Sequence, residues 1–418
     1  MGAGFGGLKA ARELSSLPVQ VCLVDQNNYH TFQPLLYQVA TAGLSPEEIA
    51  HNIRGIFHSQ RNYSFRLGKV TGVNWDASVV LLDNGLTEKF DYLILAAGSE
   101  TSDFGVEGVR QYSFPLKSIE DAVRLRSHIL RQFELADADP AAFGQGVLNL
   151  VVVGGGPTGV EMAGALSELV NTVLRKDHPH VDLSHASIYL IEAADKLLTP
   201  FAKPLQEYAD AELRQRGVKV LLNETVERVS AQAIQLKGGS QILTHTVIWS
   251  AGVKASSLGE QLGFQLTKGG RVIVNPDLSV PGHPQVYVIG DMAASKDRIG
   301  NLYPQLAQVA IQSAQHAAQQ IDHKLHNQAG QSFIYHDPGS MATIGRNAAV
   351  AQFPNGWHFS GFVAWLLWLF LHLMYLVGFR NRIAVFMDWL WNYMTYDRSP
   401  RLVMNDACPK NTSVSGPG

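Results

Sequence analysis

Two glycine turns of the form G-x-G-x-x-G, one at Gly2, Gly4 and Gly7 and one at Gly154, Gly156 and Gly159, constrain the fold more than any other feature of this chain. Such a turn wraps a dinucleotide pyrophosphate. Its first glycine permits the tight bend, its second lets the backbone approach the phosphates, and its third lets the following helix pack on the preceding strand. The phosphates then rest at the positive helix N-terminus. The glycines carry meaning only between a buried strand and a helix, so context decides.

The second turn has that context in full. In NLVVVGGGPTGVEMAGALSEL, Leu150 to Val153 read as a short buried strand and Val160 to Leu169 as a helix with apolar residues at helical spacing. The acid expected at the end of the next strand is Glu192 in SIYLIEA, which lies 33 residues past Gly159. The usual distance is about 20 residues, and the polar stretch NTVLRKDHPHVDLSHA supplies the excess as a lengthened helix and connection. A carboxylate there accepts from a ribose 2′-hydroxyl and repels a 2′-phosphate, which predicts a preference for NADH over NADPH, moderated by Lys196.

The first turn is followed by a helical stretch from Leu8 to Leu17, broken by Pro18, and by the alternating run VQVCLVD that ends in Asp25, eighteen residues past Gly7. Asp25 is therefore placed to accept from the ribose of an adenosine half. Only Met1 stands before Gly2. The strand that this turn requires is accordingly expected upstream of the assigned initiator, and the first unit is expected to lack it.

Two such sites in one chain suit a resident flavin dinucleotide and a visiting nicotinamide dinucleotide. The remaining punctuation fits that division. FDYLILAAGSE and HTVIWSAGVKAS each run an apolar strand into a small-residue turn, at Ala96, Ala97 and Gly98 and at Ala251 and Gly252. PQVYVIGDMA places Gly290 and Asp291 after a strand, where the aspartate either bonds the ribityl chain of FAD or caps a following helix. The fold class read from this pattern is α/β, with two Rossmann-like dinucleotide-binding domains. FAD-binding residues are expected at 1–114 and 258–336, NADH-binding residues at 115–257, and a C-terminal region at 337–418.

A chain of 418 residues has room for two or three domains. With 33 Lys and Arg against 36 Asp and Glu it carries no basic footprint, so nucleic acid is not expected as a partner. His178, His180 and His185 lie on a polar connection without a cysteine or an H-E-x-x-H frame, and are read as exposed loop rather than a metal site. No metal is expected. The two cysteines, Cys22 in a strand read as buried and Cys408 in the polar tail, are too far apart in sequence for a dithiol centre.

From Phe359 the sequence runs FSGFVAWLLWLFLHLMYLVGF before Arg380, with His372 as its one ionisable residue. Hydropathy alone allows a transmembrane helix. In the next segment Ile383, Phe386, Met387, Leu390, Tyr393 and Met394 recur at helical spacing, and five of the seven tryptophans fall between Trp357 and Trp391. Tryptophans beside arginines suit the headgroup boundary and a helix lying in its plane.

The paired glycine turns, the two A-G turns and the V-I-G-D box resemble the flavoproteins with two dinucleotide-binding domains, the group that includes glutathione reductase. Within that group YHTFQPLLYQVATAGLSPEEIA, YPQLAQVAIQ and SMATIGRNAAVA, with the Trp-rich C-terminus, resemble the type II NADH dehydrogenases, single-subunit NADH:quinone oxidoreductases that do not pump protons. The resemblance spans essentially the whole chain. It implies FAD as bound cofactor, NADH as substrate and a membrane quinone as acceptor. It also implies that Gln308 and Gln312 lie beside the isoalloxazine and bond quinone carbonyls, and that Glu161 stands between nicotinamide and quinone. Alternatives are solvent-facing glutamines, and for Glu161 a first-turn acid held by the helix dipole.

The C-terminal helices are then expected as a hairpin-like anchor in one leaflet, on the cytoplasmic face of the inner or plasma membrane, with a true span as the alternative. The lipid surface is the expected partner, and a homodimer is left open. Two rivals remain at this point: a soluble-acceptor flavin reductase serving a ferredoxin or rubredoxin, and a membrane-tethered redox sensor without catalysis.

Overall fold

Leu150, Val151 and Val152 have no polar neighbour before Gly154 and are fully buried, because their strand, Asn149–Val153, is covered on both faces. It is the middle strand of a five-stranded parallel sheet in the order Phe114–Pro115, Thr246–Trp249, Asn149–Val153, Ser187–Glu192, Val218–Leu222. Parallel pairing needs crossovers, and the helices Pro157–Glu168 and Lys203–Gln215 supply two of them. The computed structural model of the chain describes residues 1–398 and 400–404, so Cys408 and most of the expected polar tail lie outside the described residues.

The first unit repeats this plan in two half-sheets. Val21–Asp25 pairs in parallel with Tyr63–Leu67, and Leu93–Leu95 with His283–Val288. Met1 and Gly2 bridge them: Gly2 N–H donates to Val24 O at 2.8 Å, and Met1 O accepts from Ala96 N–H at 2.8 Å. The second unit makes the same two bonds, from Gly154 N–H to Ile191 O at 2.8 Å and from Ser250 N–H to Val153 O at 2.9 Å. Met1 therefore holds the register position of Val153. The helix that follows begins earlier than the spacing predicts, at Phe5, and ends at Glu13 before a tighter turn over Leu14–Ser16.

The units are joined where the chain crosses between them, by the antiparallel pairing of Ser99–Thr101 with Val253–Ala255. The C-terminal region adds an antiparallel meander, Ser340–Gly345, Ala348–Gln352 and His358–Ser360, and then the helices Gly361–Tyr375 and Phe379–Thr395. At about 1.5 Å per residue the first of these is roughly 22 Å long, short of a hydrocarbon core of about 30 Å. Among the described residues no helix is long and apolar enough to cross a membrane. The turn between the helices explains the interruption: Gly378 has φ +88°, and a Cβ there would stand 2.9 Å from the His51 ring.

The tryptophans divide differently from the sequence expectation. Trp368 is 1% exposed and packs in the main core with Ala364, Leu376 and Val385, while Trp365 and Trp389 are half-buried. Of the five, Trp357 and Trp391 are exposed. The small residues Ala348, Ala349 and Ala351 of the middle meander strand help make a bed for this helix. The second helix is anchored by Asn381, whose Nδ2 donates to the carbonyls of Glu47, Glu48 and Ala50 at 3.1–3.3 Å.

Candidate functional site

The two glycine turns are built by one device. Gly2 and Gly154 have φ of +94° and +109°, and a Cβ on Gly7 or Gly159 would lie 1.7 or 1.8 Å from the carbonyl oxygen of its own first glycine. No side chain fits there. A Cβ on Gly4 or Gly156 would meet nothing within 4 Å, so that face of each turn is open, as close approach of a pyrophosphate requires. The acids repeat as well. Asp25 accepts from Ala3 N–H at 2.6 Å and from Asn27 N–H at 2.7 Å, and Glu192 accepts from Gly155 N–H and from Ala194 N–H. Each carboxylate thus fixes its glycine turn and keeps lone pairs for a ribose. Burial pushes the Asp25 carboxyl up, against the two backbone donors.

A cavity of about 680 Å³ runs along the first turn, within the range of ligand sites. Asp25, Lys69, Gly4, Ala97, Gly98, Asp291 and Lys117 line it, and so does Thr158. Thr158 belongs to the helix of the second turn, so both units contribute to this cavity. Asp291 sits in the turn Gly290–Met292, and its Oδ2 accepts from Ser99 Oγ–H at 2.6 Å, so its side chain is not spent capping a helix. Gly290, with φ +62°, brings the helix Ala307–Leu325 close, since a Cβ there would lie 2.9 Å from that of Ala310. The residues present fit FAD: the face of the turn at Gly4 is clear for a pyrophosphate, and Asp25 and Asp291 in the wall offer carboxylates to sugar and ribityl hydroxyls. In the second unit Gly252, φ +67°, is overlaid by the Phe104 ring.

Glu161 is buried in the second turn of the helix Pro157–Glu168, rather than in the first turn where the dipole alternative would place it. A Cβ on Gly164 would stand 1.8 Å from Ile344 O, so helix and meander strand are in direct contact. That contact places Thr343 N–H 3.4 Å from Glu161 Oε1. The Trp368 indole N–H, buried without a well-formed hydrogen bond, faces the same carboxyl. Burial wins over both donors and pushes Glu161 up to about 8, so it holds its proton at neutral pH.

Beside Glu161 opens a second cavity of about 520 Å³, walled by Tyr37, Thr343, Trp368 and Leu369, with Arg398 also in its wall. Arg398 pairs with Glu168 at 3.0 Å and donates to Thr41 O at 2.9 Å. Phe362, Leu366 and Phe370 line the same cavity and are exposed, so it opens among the apolar surfaces of the C-terminal helices.

Gln308 and Gln312 line neither cavity. The Gln312 amide makes a reciprocal pair with the backbone of His336, at 2.8 and 2.9 Å, while Gln308 is half-buried. Gln305 lines the cavity of the first turn instead, donating to Asp291 O at 3.1 Å. His178 is buried against Phe133 with Asp137 at 3.4 Å, not exposed, and His185 stacks on Phe143. Cys22 lies on the exposed side of its strand, against the expectation of burial. Sequence reasoning passed over Lys117, Ser99, Tyr37 and Trp368. A lysine directly before the helix-capping box at Ser118 was the one available signal.

Residues 1–320 match the family described as pyridine nucleotide-disulphide oxidoreductase, and residues 338–396 match the NDH2 C-terminal domain. The chain is 40% identical over 417 residues to the type II NADH:quinone oxidoreductase Ndh of Mycobacterium tuberculosis, covering 95% of this chain and 88% of that protein. It is 31% identical to the type II NADH:quinone oxidoreductase of Staphylococcus haemolyticus, over 84% of this chain and 88% of that one. Among solved structures, NDH2 from Plasmodium falciparum in complex with NADH aligns with a TM-score of 0.87 at 21% identity, covering 97% of this chain and 98% of that one. The sulfide:quinone oxidoreductase of Aquifex aeolicus aligns at 0.73 with 18% identity, covering 95% and 94%.

Proposed function

Because this chain belongs to the type II NADH:quinone oxidoreductases, we propose a division of its FAD-dependent reaction among its own residues. Gly2, Gly4, Gly7, Asp25, Ala97, Gly98, Gly290 and Asp291 hold FAD. Gly154, Gly156, Gly159, Glu192 and Gly252 hold NADH. FAD, when bound, accepts hydride from NADH and passes two electrons to the quinone. Residues 1–114 and 258–336 then form the FAD domain, and 115–257 the NADH domain.

The observation that carries the acceptor assignment is Glu161, protonated and buried, at the wall of an apolar cavity that opens among exposed apolar helices. The quinone head enters there, Glu161 delivers a proton to it, and Tyr37 and Trp368 shape the wall. Gln308 and Gln312 stand aside from both cavities, and Gln312 serves by pinning the His336 segment to its helix. The test is to fill the cavity. Leu369→Trp is expected to cut quinone reduction at least tenfold, while NADH oxidation by a soluble artificial acceptor stays within twofold of wild type. Equal activity with both acceptors would place the quinone elsewhere. Deleting everything from Phe359 is a poorer test, because it also removes Trp368 and Val385 from the core.

We place the protein on one leaflet, at the cytoplasmic face where NADH is made, through Phe362, Phe370, Phe379, Phe386 and Met394, all at least 50% exposed. Phe386 and Met394 belong to the stripe that helical spacing picks out between Ile383 and Met394, whose other members Ile383, Met387, Leu390 and Tyr393 are exposed as well. Patches of this kind mark membrane or partner surfaces. The double variant Phe370→Glu, Met394→Glu is expected to lose binding to anionic phospholipid vesicles in flotation while keeping its Tm. Vesicle binding as tight as wild type would refute this placement.

A further inference from the structure

We propose that Lys117 is the counter-charge of the flavin cavity: through Ser99 it balances the half-buried Asp291 carboxylate and offsets the negative charge that two-electron reduction builds beside it. The proposal rests on the assignment of this cavity to FAD.

Lys117 lines the cavity, and its Nζ donates to Ser99 Oγ at 3.0 Å. The Ser99 hydroxyl passes its own proton toward Asp291 Oδ2 at 2.6 Å. Cation, hydroxyl and carboxylate therefore form one oriented chain, from the residue before the Ser118 cap, through the crossing strand Ser99–Thr101, to the turn that carries Asp291. The lysine stem starts from a fixed point. Lys117 N–H donates to Asp121 Oδ2 at 3.1 Å, in the capping box that begins the helix Ile119–Ala138.

The other charged groups nearby are already committed. Arg271 feels Asp291 but donates to Tyr303 O at 2.6 Å and does not line the cavity. Glu100 accepts from Ser257, and Glu120 accepts from Tyr29. Lys69 also lines the cavity but is exposed. Among the described residues lining it, Lys117 is thus the cation tied to Asp291, by way of Ser99.

Physical cost explains why a lysine belongs there. A carboxylate in the cavity wall disfavours any further negative charge within a few ångströms, and charge near the flavin ring is one of the protein's means of tuning it. Burial pulls the Lys117 ammonium down and Asp291 pulls it back up. A merely structural lysine would keep the fold and leave the flavin's redox behaviour untouched.

The test uses the holoenzyme with Lys117→Met, and Lys117→Arg as the charge-conserving control. Dye-equilibrated reduction is expected to show the reduced-to-oxidised equilibrium shifted at least tenfold toward oxidised flavin in Lys117→Met. Tenfold corresponds to about 30 mV more negative for a two-electron couple. The dissociation constant for sulfite, an anion that adds to oxidised flavin, is expected to rise at least tenfold, with Lys117→Arg within threefold of wild type. A Lys117→Met protein with full FAD and unchanged potential and sulfite affinity overturns the proposal. So does loss of FAD from Lys117→Met, which would make the lysine a cofactor anchor instead. A wild-type chain that takes up no FAD would overturn the cavity assignment itself, a separate and visible failure.

Discussion

Replacing Gly159 by alanine is expected to lower the rate of flavin reduction by NADH at least a hundredfold while the protein keeps its FAD. The new Cβ would lie 1.8 Å from Gly154 O and 2.9 Å from Ser250 Oγ. The first of these is backbone, fixed by the sheet bond from Gly154 N–H to Ile191 O, so it cannot swing away. Helix and turn must part instead. The displaced helix carries Thr158 in the wall of the first cavity and Glu161 in that of the second, and a misplacement of about 1 Å costs on the order of a hundredfold in a positioned reaction.

The Gly2 turn, proposed to hold FAD, is a separate copy of the device, with Gly7 against Gly2 O, and is untouched. Flavin absorbance should therefore persist while anaerobic mixing with NADH becomes slow. Gly156→Ala is the informative partner. Its Cβ meets no protein atom within 4 Å, so Tm should hold while the methyl intrudes on the pyrophosphate and the KM for NADH rises. Wild-type NADH kinetics in Gly159→Ala would mean that this turn does not hold the nucleotide.

What was legible in the sequence is what the chain encodes locally. A glycine turn is defined by residues within one strand–turn–helix unit, and the Gly154 turn folds as its spacing requires. The Gly2 turn reproduces the same bonds with Met1 in the register of Val153. Asp25 and Glu192 were legible for a related reason, since each ends the strand next to its turn. The environment of Glu161 was not, because its partners Thr343 and Trp368 lie far away in sequence and reach it only through the contact of Gly164 with Ile344. Helical spacing correctly put Gln308 and Gln312 on one helix, but spacing says nothing of where that face points, and Gln312 points at the His336 backbone.

Hydropathy misled in the same way about the tryptophans. It registers that Trp368 is apolar and aromatic, not that a strand of alanines leaves room for it. The apolar run from Phe359 also looks long enough to span, until Gly378 turns it at His51 and the first helix stops at Tyr375. Cys22 shows the converse error. Its strand was read as buried, whereas Cys22 is exposed on it.

Glu161→Gln should separate the two half-reactions, and the physical reason is a single buried proton. Burial holds Glu161 near 8, above the ordinary 4.5, despite the Thr343 and Trp368 donors. In the wild type the carboxyl is therefore a ready proton source at pH 7, and its supply falls about tenfold per pH unit above 8. A glutamine keeps the shape and has no proton to give. Quinone reduction is expected to slow by about a hundredfold or more and to lose its break near pH 8, with flavin reduction by NADH within about twofold of wild type in rapid mixing.

Stability should move the opposite way. Below pH 4.5 the carboxyl is protonated in both folded and unfolded chains, and its burial costs nothing extra. Between 4.5 and about 8 the unfolded chain releases the proton while the folded one keeps it, so wild-type stability falls as pH rises and levels off above 8. The deficit reaches on the order of 5 kcal/mol. Glu161→Gln escapes it and should melt higher than wild type at pH 9, with the gap closing toward pH 5. A variant that slows both half-reactions equally, or keeps the alkaline break in quinone reduction, would show that the proton comes from elsewhere. A gain in alkaline stability without any change in turnover would leave Glu161 a buried acid with no part in the chemistry.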